Sequence, residues 1–338
     1  MLRGWRLGVA GAEALAAHAD LSLVTQLDLE GARIGDEGLV RLLASPFLRL
    51  RQVDDLNLAD NALTAVGLRA LGAAPFGPRL KQLYLGQNGS LDGEAIEAVA
   101  AILPGLEELH LERTAIGDAG AIALARTGAQ PEHLRLGLCG ISEVGVAALV
   151  NAGTFNKAAS IGLGGDPLGD AGAAALVSLQ GEPGMLDLSY TGLGEAGLKS
   201  LLASGLFGRC GHVSLIGNPL GAEAYRLLLA FEGRLPGCVE LPHVDDVALA
   251  RALRERTRVV VPGTPLAAGL VLACPYCREV IGVEDHLCGH CKADATNDAG
   301  SEERPARLAA EPRMPCPHCG ASMNHAAIRC PACASWTS

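Results

Sequence analysis

Nine leucines mark near-constant intervals along the first two thirds of the chain: Leu29, Leu58, Leu85, Leu111, Leu136, Leu163, Leu188, Leu215 and Leu241, spaced 25 to 29 residues apart. A unit of that length cannot bury its own apolar face. Such units stack, each covering the next, into a solenoid. Two residues before each marker stands another apolar residue, the column Leu27, Leu56, Leu83, Leu109, Leu134, Ile161, Leu186, Val213 and Val239. Alternation at period two is a half-buried strand. A turn residue follows (Ile34, Leu63, Leu91, Ile116, Ile141, Leu168, Leu193, Leu220), and four residues later a small one (Gly38, Gly67, Ala95, Gly120, Gly145, Gly172, Gly197, Ala224). Apolar pairs such as Leu39/Leu42 and Leu198/Leu201 then have the spacing of a helix inner face.

Composition agrees. Hydrophobic residues make up 49% of the 338 but aromatics only 3%, as expected of many small, similar packing units. Three residues after each marker sit Ala32, Asn61, Asn88, Thr114, Cys139, Asp166, Thr191 and Asn218. A short polar side chain there can bond turn backbone that would otherwise be unsatisfied inside the stack. Cys139 is thus a ladder residue and not a nucleophile. Asp36, Asp118 and Asp170 fall near helix N-termini, where a carboxylate is favoured.

The frame L-x-x-L-x-L-x-x-T-x-I-G-D-x-G at Leu106 to Gly120, with Ile34-Gly-Asp-Glu-Gly and Leu168-Gly-Asp-Ala-Gly, resembles the ribonuclease-inhibitor-like subclass of leucine-rich repeats. The resemblance covers residues 1–241. It implies an α/β horseshoe of about nine repeats and a protein-binding scaffold, some relatives acting on small GTPases. It transfers no catalytic residue. The frame extends back to Leu2 and Leu7, so the chain is expected to open inside a repeat that caps itself or is covered by more chain or a partner.

In such a horseshoe the residues between the strand leucines face the concave surface. Carboxylates crowd its first half. The expected partner-binding set is Asp55, Tyr84, Glu108, His110, His133 and Arg135: aromatic and Arg anchors on an acidic ground. The alternative is a solvated polar face with contacts elsewhere. A catalytic use of the histidines is disfavoured, because no phosphate loop, strained Gly-Ser elbow or HExxH accompanies them. A net charge of −10 argues against nucleic acid, and the carboxylate cluster beside Tyr84 and Arg135 points to a basic or mixed-charge protein partner.

Residues 242–273 read as a connector. Val247, Ala250 and Leu253 lie at helical spacing, and Arg251, Arg254, Arg256 and Arg258 follow, as in a helix sealing the last repeat. The apolar run 266–273 reads as a strand.

Two quartets with one spacing follow. Cys274, Cys277, Cys288 and Cys291 form the first, over residues 274–291; Cys316, Cys319, Cys330 and Cys333 form the second, over 316–333. Each CxxC places two thiolates on one turn, and two such turns close a tetrahedral site. The pattern resembles a double zinc ribbon and implies two structural Zn2+ ions. Four thiolates would also suit iron. Paired quartets do not fit redox CxxC chemistry, and complete four-cysteine sets leave no open position for catalysis. The two metals close locally or, alternatively, cross-brace as in RING-type ligases. Residues 292–315 are polar and aperiodic, a flexible tether.

No secretory signal and no run of about 18 apolar residues is present, so a cytoplasmic location without a membrane span is expected. The reading is a non-enzymatic adaptor. The alternatives are nucleic-acid binding through the ribbons, or a regulatory subunit of GTPase-activating or ubiquitin-ligase-like type.

Overall fold

A computed structural model describes residues 6–18, 23–45, 52–76, 79–242 and 247–260, with four short strands at 272–273, 280–281, 313–315 and 322–324. Contacts divide the chain into two compact units, residues 1–270 and 271–338. In the first, strands and helices alternate: α1 (Gly8–His18), β1 (Gln26–Asp28), α2 (Gly35–Leu43), β2 (Asp55–Asn57), α3 (Ala65–Ala73), β3 (Gln82–Tyr84), α4 (Gly93–Ala98), β4 (Glu108–His110), α5 (Gly117–Arg126), β5 (His133–Arg135), α6 (Glu143–Asn151), β6 (Ser160–Gly162), α7 (Gly169–Leu176), β7 (Met185–Asp187), α8 (Glu195–Ala203), α9 (Leu206–Arg209), β8 (His212–Ser214), α10 (Ala222–Ala230), β9 (Cys238–Glu240), α11 (Val247–Arg254) and β10 (Arg258–Val260).

All ten strands form one parallel sheet in chain order. Its register joins the columns read from the sequence: Tyr84 pairs with His110, His110 with Arg135, and Gln82 with Glu108. The nine marker leucines are all 0% exposed. They make a continuous seam between sheet and helices, so no repeat has a core of its own.

The ladder is hydrogen-bonded as its chemistry requires. Asn88 Nδ2 donates to the Leu58 and Leu85 carbonyls, while its Oδ1 accepts from the Asn61 and Leu63 amides. Asn218 does the same between Leu188, Leu215, Thr191 and Leu193. Cys139 Sγ donates to the Leu111 carbonyl at 3.0 Å.

The GDxG aspartates act one repeat further on than their sequence position suggests. Asp36, Asp118 and Asp170 lie in the first turns of α2, α5 and α7, but their carboxylates serve the next helix. Asp118 accepts from the Ser142 amide (2.7 Å), the Ser142 hydroxyl (2.6 Å) and the Gly145 amide (3.0 Å) at the start of α6. Asp170 accepts from Gly194 and Gly197 at the start of α8, and Asp36 from Thr64 before α3. This accounts for three positions of the small-residue column. A Cβ on Gly67, Gly145 or Gly197 would stand 2.4 to 2.6 Å from the carboxylate arriving from the preceding repeat. Aspartate and glycine are one device that joins neighbouring repeats through a helix N-terminus. Replacing Asp118 by Ala should therefore cost about 1–2 kcal/mol, as other N-cap losses do. Glu143→Ala, an exposed change on α6, should stay within about 0.5 kcal/mol. Urea unfolding of both variants measures the difference; equal costs would remove the inter-repeat role.

The connector differs from the sequence expectation. α11 does cover the end of the array, with Leu253 buried, but the chain then adds β10 beside β9, and Val259 is buried opposite Val239. The sheet thus has ten strands where the leucine frame marks nine. The final step, from Val239 to Val259, is shorter than any other, which takes it out of the frame. Arg256 donates to the carbonyls of Leu228, Leu229 and Phe231. It closes the C-terminus of α10, where a cation is favoured. The side chains of Arg251 and Arg254 lie outside the described residues.

In the second unit, β11 (Leu272–Ala273) pairs antiparallel with β12 (Val280–Ile281), and β13 (Arg313–Pro315) with β14 (Ser322–Asn324). The eight quartet cysteines and the tether 292–312 lie outside the described residues.

Candidate functional site

The acidic half of the sheet's side-chain face carries an open hollow of about 460 Å³ over β1 to β4. Asp28, Glu30, Asp55, Asn57, Tyr84, Gln87, His110 and Glu112 line it, floored by Ala59 and Gly86. Each strand is three residues long, so the residues flanking its buried centre are set side by side with those of its neighbours.

Tyr84 and His110 form the centre. Their rings meet edge to face, with centroids 4.5 Å apart. Tyr84 donates its hydroxyl to Glu108 Oε2 at 2.8 Å, and Gln82 Nε2 donates to Glu108 Oε1 at 3.1 Å. His110 sits between two carboxylates, 3.8 Å from Glu108 and 3.8 Å from Glu112. Burial lowers its pKa; Arg135 works the same way, and Glu112 and Glu108 oppose both. Burial, followed by Asp28, Asp54 and Glu108, raises the Asp55 pKa. Burial, followed by Glu108, raises that of Tyr84. The hollow thus concentrates negative charge that its own cations do not neutralise, around a rigid aromatic pair.

The structure brings Tyr84, Glu108 and His110 into contact and sets Asp55 on the wall of the same hollow. His133 and Arg135 stand on the next strand, opposite Glu108 and His110, beyond the hollow's lining. Sequence reasoning missed Glu30, which accepts from Asn57 Nδ2 at 3.2 Å. It stands directly after its marker leucine, as Glu112 does. That shared offset was the available signal.

At the other end of the face, His212 lies 3.3 Å from Glu240. Burial would raise the Glu240 pKa, but bonds from His212 and Ser214 outweigh it and lower it. Among the described residues no three His, Cys, Asp or Glu side chains converge as a metal site. Burial pushes the Cys139 and Cys210 thiols up to about 11. No described helix is long and apolar enough to cross a membrane.

The sequence pattern of the leucine-rich repeat family matches residues 21–43, 54–72 and 105–125, the stretches that run into or through α2, α3 and α5. These three stretches carry the leucine-rich repeat pattern, and the parallel strand–helix array agrees with it. The ribonuclease inhibitor of Sus scrofa is 32% identical over 265 residues, covering 70% of this chain and 55% of that protein. The chain therefore spans about half the length of this relative. Among solved structures, the leucine-rich repeat-containing protein LegL7 from Legionella pneumophila is 19% identical with a TM-score of 0.47, covering 70% of this chain and 82% of its own. An internalin from Listeria monocytogenes is 14% identical with a TM-score of 0.36, covering 72% and 88%. The parallel strand register continues past the matched segments to β9.

Proposed function

We propose that this protein is a non-enzymatic scaffold that binds a basic protein surface in the acidic hollow, with two zinc ribbons as a second module. Leucine-rich repeat scaffolds typically bind proteins, and the similarity to a ribonuclease inhibitor points the same way. The observation that carries the reading is the set of Asp28, Glu30, Asp55 and Glu112 lining the hollow with Tyr84 and His110, and Glu108 bonded to Tyr84 beside it. Aromatic side chains locked by their neighbours lose little entropy on binding and serve as anchors. The carboxylates steer a cationic partner and select against acidic ones.

With a captured partner, Tyr84→Ala should weaken binding by about tenfold or more, the scale of an interface anchor. Glu108→Lys should also slow association and flatten its salt dependence. Charge reversal at Glu37, Glu94 or Glu195 on the helices should leave affinity unchanged. Surface plasmon resonance at two salt concentrations reads affinity and association rate for all three. If only the helix variants weaken binding, the hollow is not the site.

The ribbon reading is supported by the two strand pairs of the second unit. β11/β12 bracket Cys274 and Cys277 in sequence, and β13/β14 bracket Cys316 and Cys319. The registers are equivalent, Ala273 opposite Val280 and Pro315 opposite Ser322. Cys274, Cys277, Cys288 and Cys291 would hold one ion and Cys316, Cys319, Cys330 and Cys333 the other. The ions would supply folding energy and no open coordination site.

A further inference from the structure

After each of the first eight marker leucines the second residue turns left-handed: Gly31, Asp60, Gln87, Arg113, Leu138, Gly165, Tyr190 and Gly217 have φ between 53° and 81°. The repeat imposes this, because the amide there donates to the next coil, as from Leu138 to Gly164 and from Tyr190 to Ile216. Glycine is at home in that conformation, and bulky side chains are disfavoured. Leu138 and Tyr190 are nonetheless present, 47% and 65% exposed. Each lies over the bare backbone of the following repeat. A Cβ on Gly165 would stand 2.4 Å from Leu138 Cδ2, and one on Gly217 2.2 Å from Tyr190 Cδ1. The fold would be less strained without these side chains, and it leaves about half of Leu138 and most of Tyr190 in solvent. Backbone strain of this kind is characteristic of functional positions.

Their surroundings define what they can meet. Loops 137–140, 164–169 and 189–192 carry one charged residue, Asp166, and it is buried. Gly165, Pro167, Gly169, Tyr190, Thr191 and Gly192 enclose an open hollow of about 420 Å³. The same column runs from Gln87, on the lining of the acidic hollow, through the exposed Arg113 to Leu138. From β3 to β7 is four strand spacings, roughly 19 Å.

We infer that the rim from Leu138 to Tyr190 is a second docking surface, taking an uncharged apolar side chain of the same protein partner whose basic face enters the acidic hollow. This rests on the reading of the hollow and adds the partner's chemistry: a basic cluster joined to an apolar residue about 20 Å along, the same four strand spacings. Charge decides the order. The acidic hollow selects cations, and the neutral rim offers nothing to compensate a buried charge.

The test uses the full chain and random twelve-residue peptides displayed on phage, which span about 40 Å when extended. The expected selection joins Lys or Arg to Leu, Met or an aromatic residue. Tyr190→Gly and Leu138→Gly should each weaken the selected peptides at least tenfold. They should keep the basic preference and leave the melting temperature unchanged or higher, which a structural role would not do. Glu108→Lys with Glu112→Lys should abolish the basic preference. Basic-only selection overturns the rim and leaves the hollow standing. Apolar selection that survives both glycine variants overturns the rim. Binding through the rim without any basic preference overturns the hollow, and no selection overturns both.

Discussion

Chelation should release two zinc ions and unfold residues 274–333, while the solenoid melts as before. A segment of about twenty residues has too little apolar surface to fold alone. A structural zinc supplies on the order of 10–16 kcal/mol of folding energy in such units, more than any other single contribution available there. The two equivalent strand pairs of the second unit each bracket the first CxxC of a quartet, as a ribbon hairpin would. Replacing Cys274, Cys277, Cys288 and Cys291 by Ser in the full chain should leave one zinc bound by the second quartet. The converse replacement should leave one bound by the first. If either variant loses both ions, the cross-braced arrangement holds and a ligase-like role gains weight. Replacing Cys139, Cys210 and Cys238 by Ser should leave zinc content at two, measured by metal analysis alongside thiolate-to-metal absorption of a cobalt-substituted sample.

Asp166→Asn should stabilise the solenoid above pH 7 by about 2–4 kcal/mol. Asp166 is wholly buried in the ladder, where Asn61, Asn88 and Asn218 hold equivalent positions. Its Oδ1 accepts from the Cys139 and Ile141 amides. Its Oδ2 has no partner, whereas the amide nitrogen of Asn218 donates to two carbonyls. Burial pushes its pKa up to about 7, against the amide bonds from Ile141, Cys139 and Gly140. A folded pKa above the ordinary 3.8 means that the native state holds the proton more tightly. The stabilisation is full below about pH 4 and is lost as pH rises through 7. The rise from 3.8 to about 7 corresponds to roughly 4 kcal/mol, which sets the upper end of the range. The Asn variant has nothing to ionise and can donate as Asn218 does. Urea unfolding of both proteins at pH 4, 6 and 8 gives the difference, in which His110, titrating in the opposite sense, cancels. A difference that does not grow with pH would show that Asp166 stays charged or solvated.

Much of the solenoid could be read from the leucine frame for a plain reason. A side-chain period of two and a repeat of 25 to 29 residues allow only one register that buries all nine marker leucines. A slip by one residue would turn every leucine to solvent. The columns on the exposed face follow automatically, so Asp55, Tyr84, Glu108 and His110 could be placed before any coordinates. The ladder followed from the need to satisfy buried turn backbone.

What the sequence could not decide were contacts between repeats that no spacing records. Asp118 looks like a cap for its own helix, and only the stack shows that its carboxylate reaches the amide of Gly145. β10 escaped because its valines follow a shortened step outside the leucine frame. The left-handed loop column was invisible in its residues, since Leu138, Tyr190, Gln87 and Gly217 share no chemistry. Stacking imposes that conformation by drawing each amide onto the next coil. Sequence alone determined the repeat and its register, because burial is periodic. Tertiary structure decided which carboxylates cap, converge or stand unpaired, because those outcomes depend on where the neighbouring repeat places its backbone.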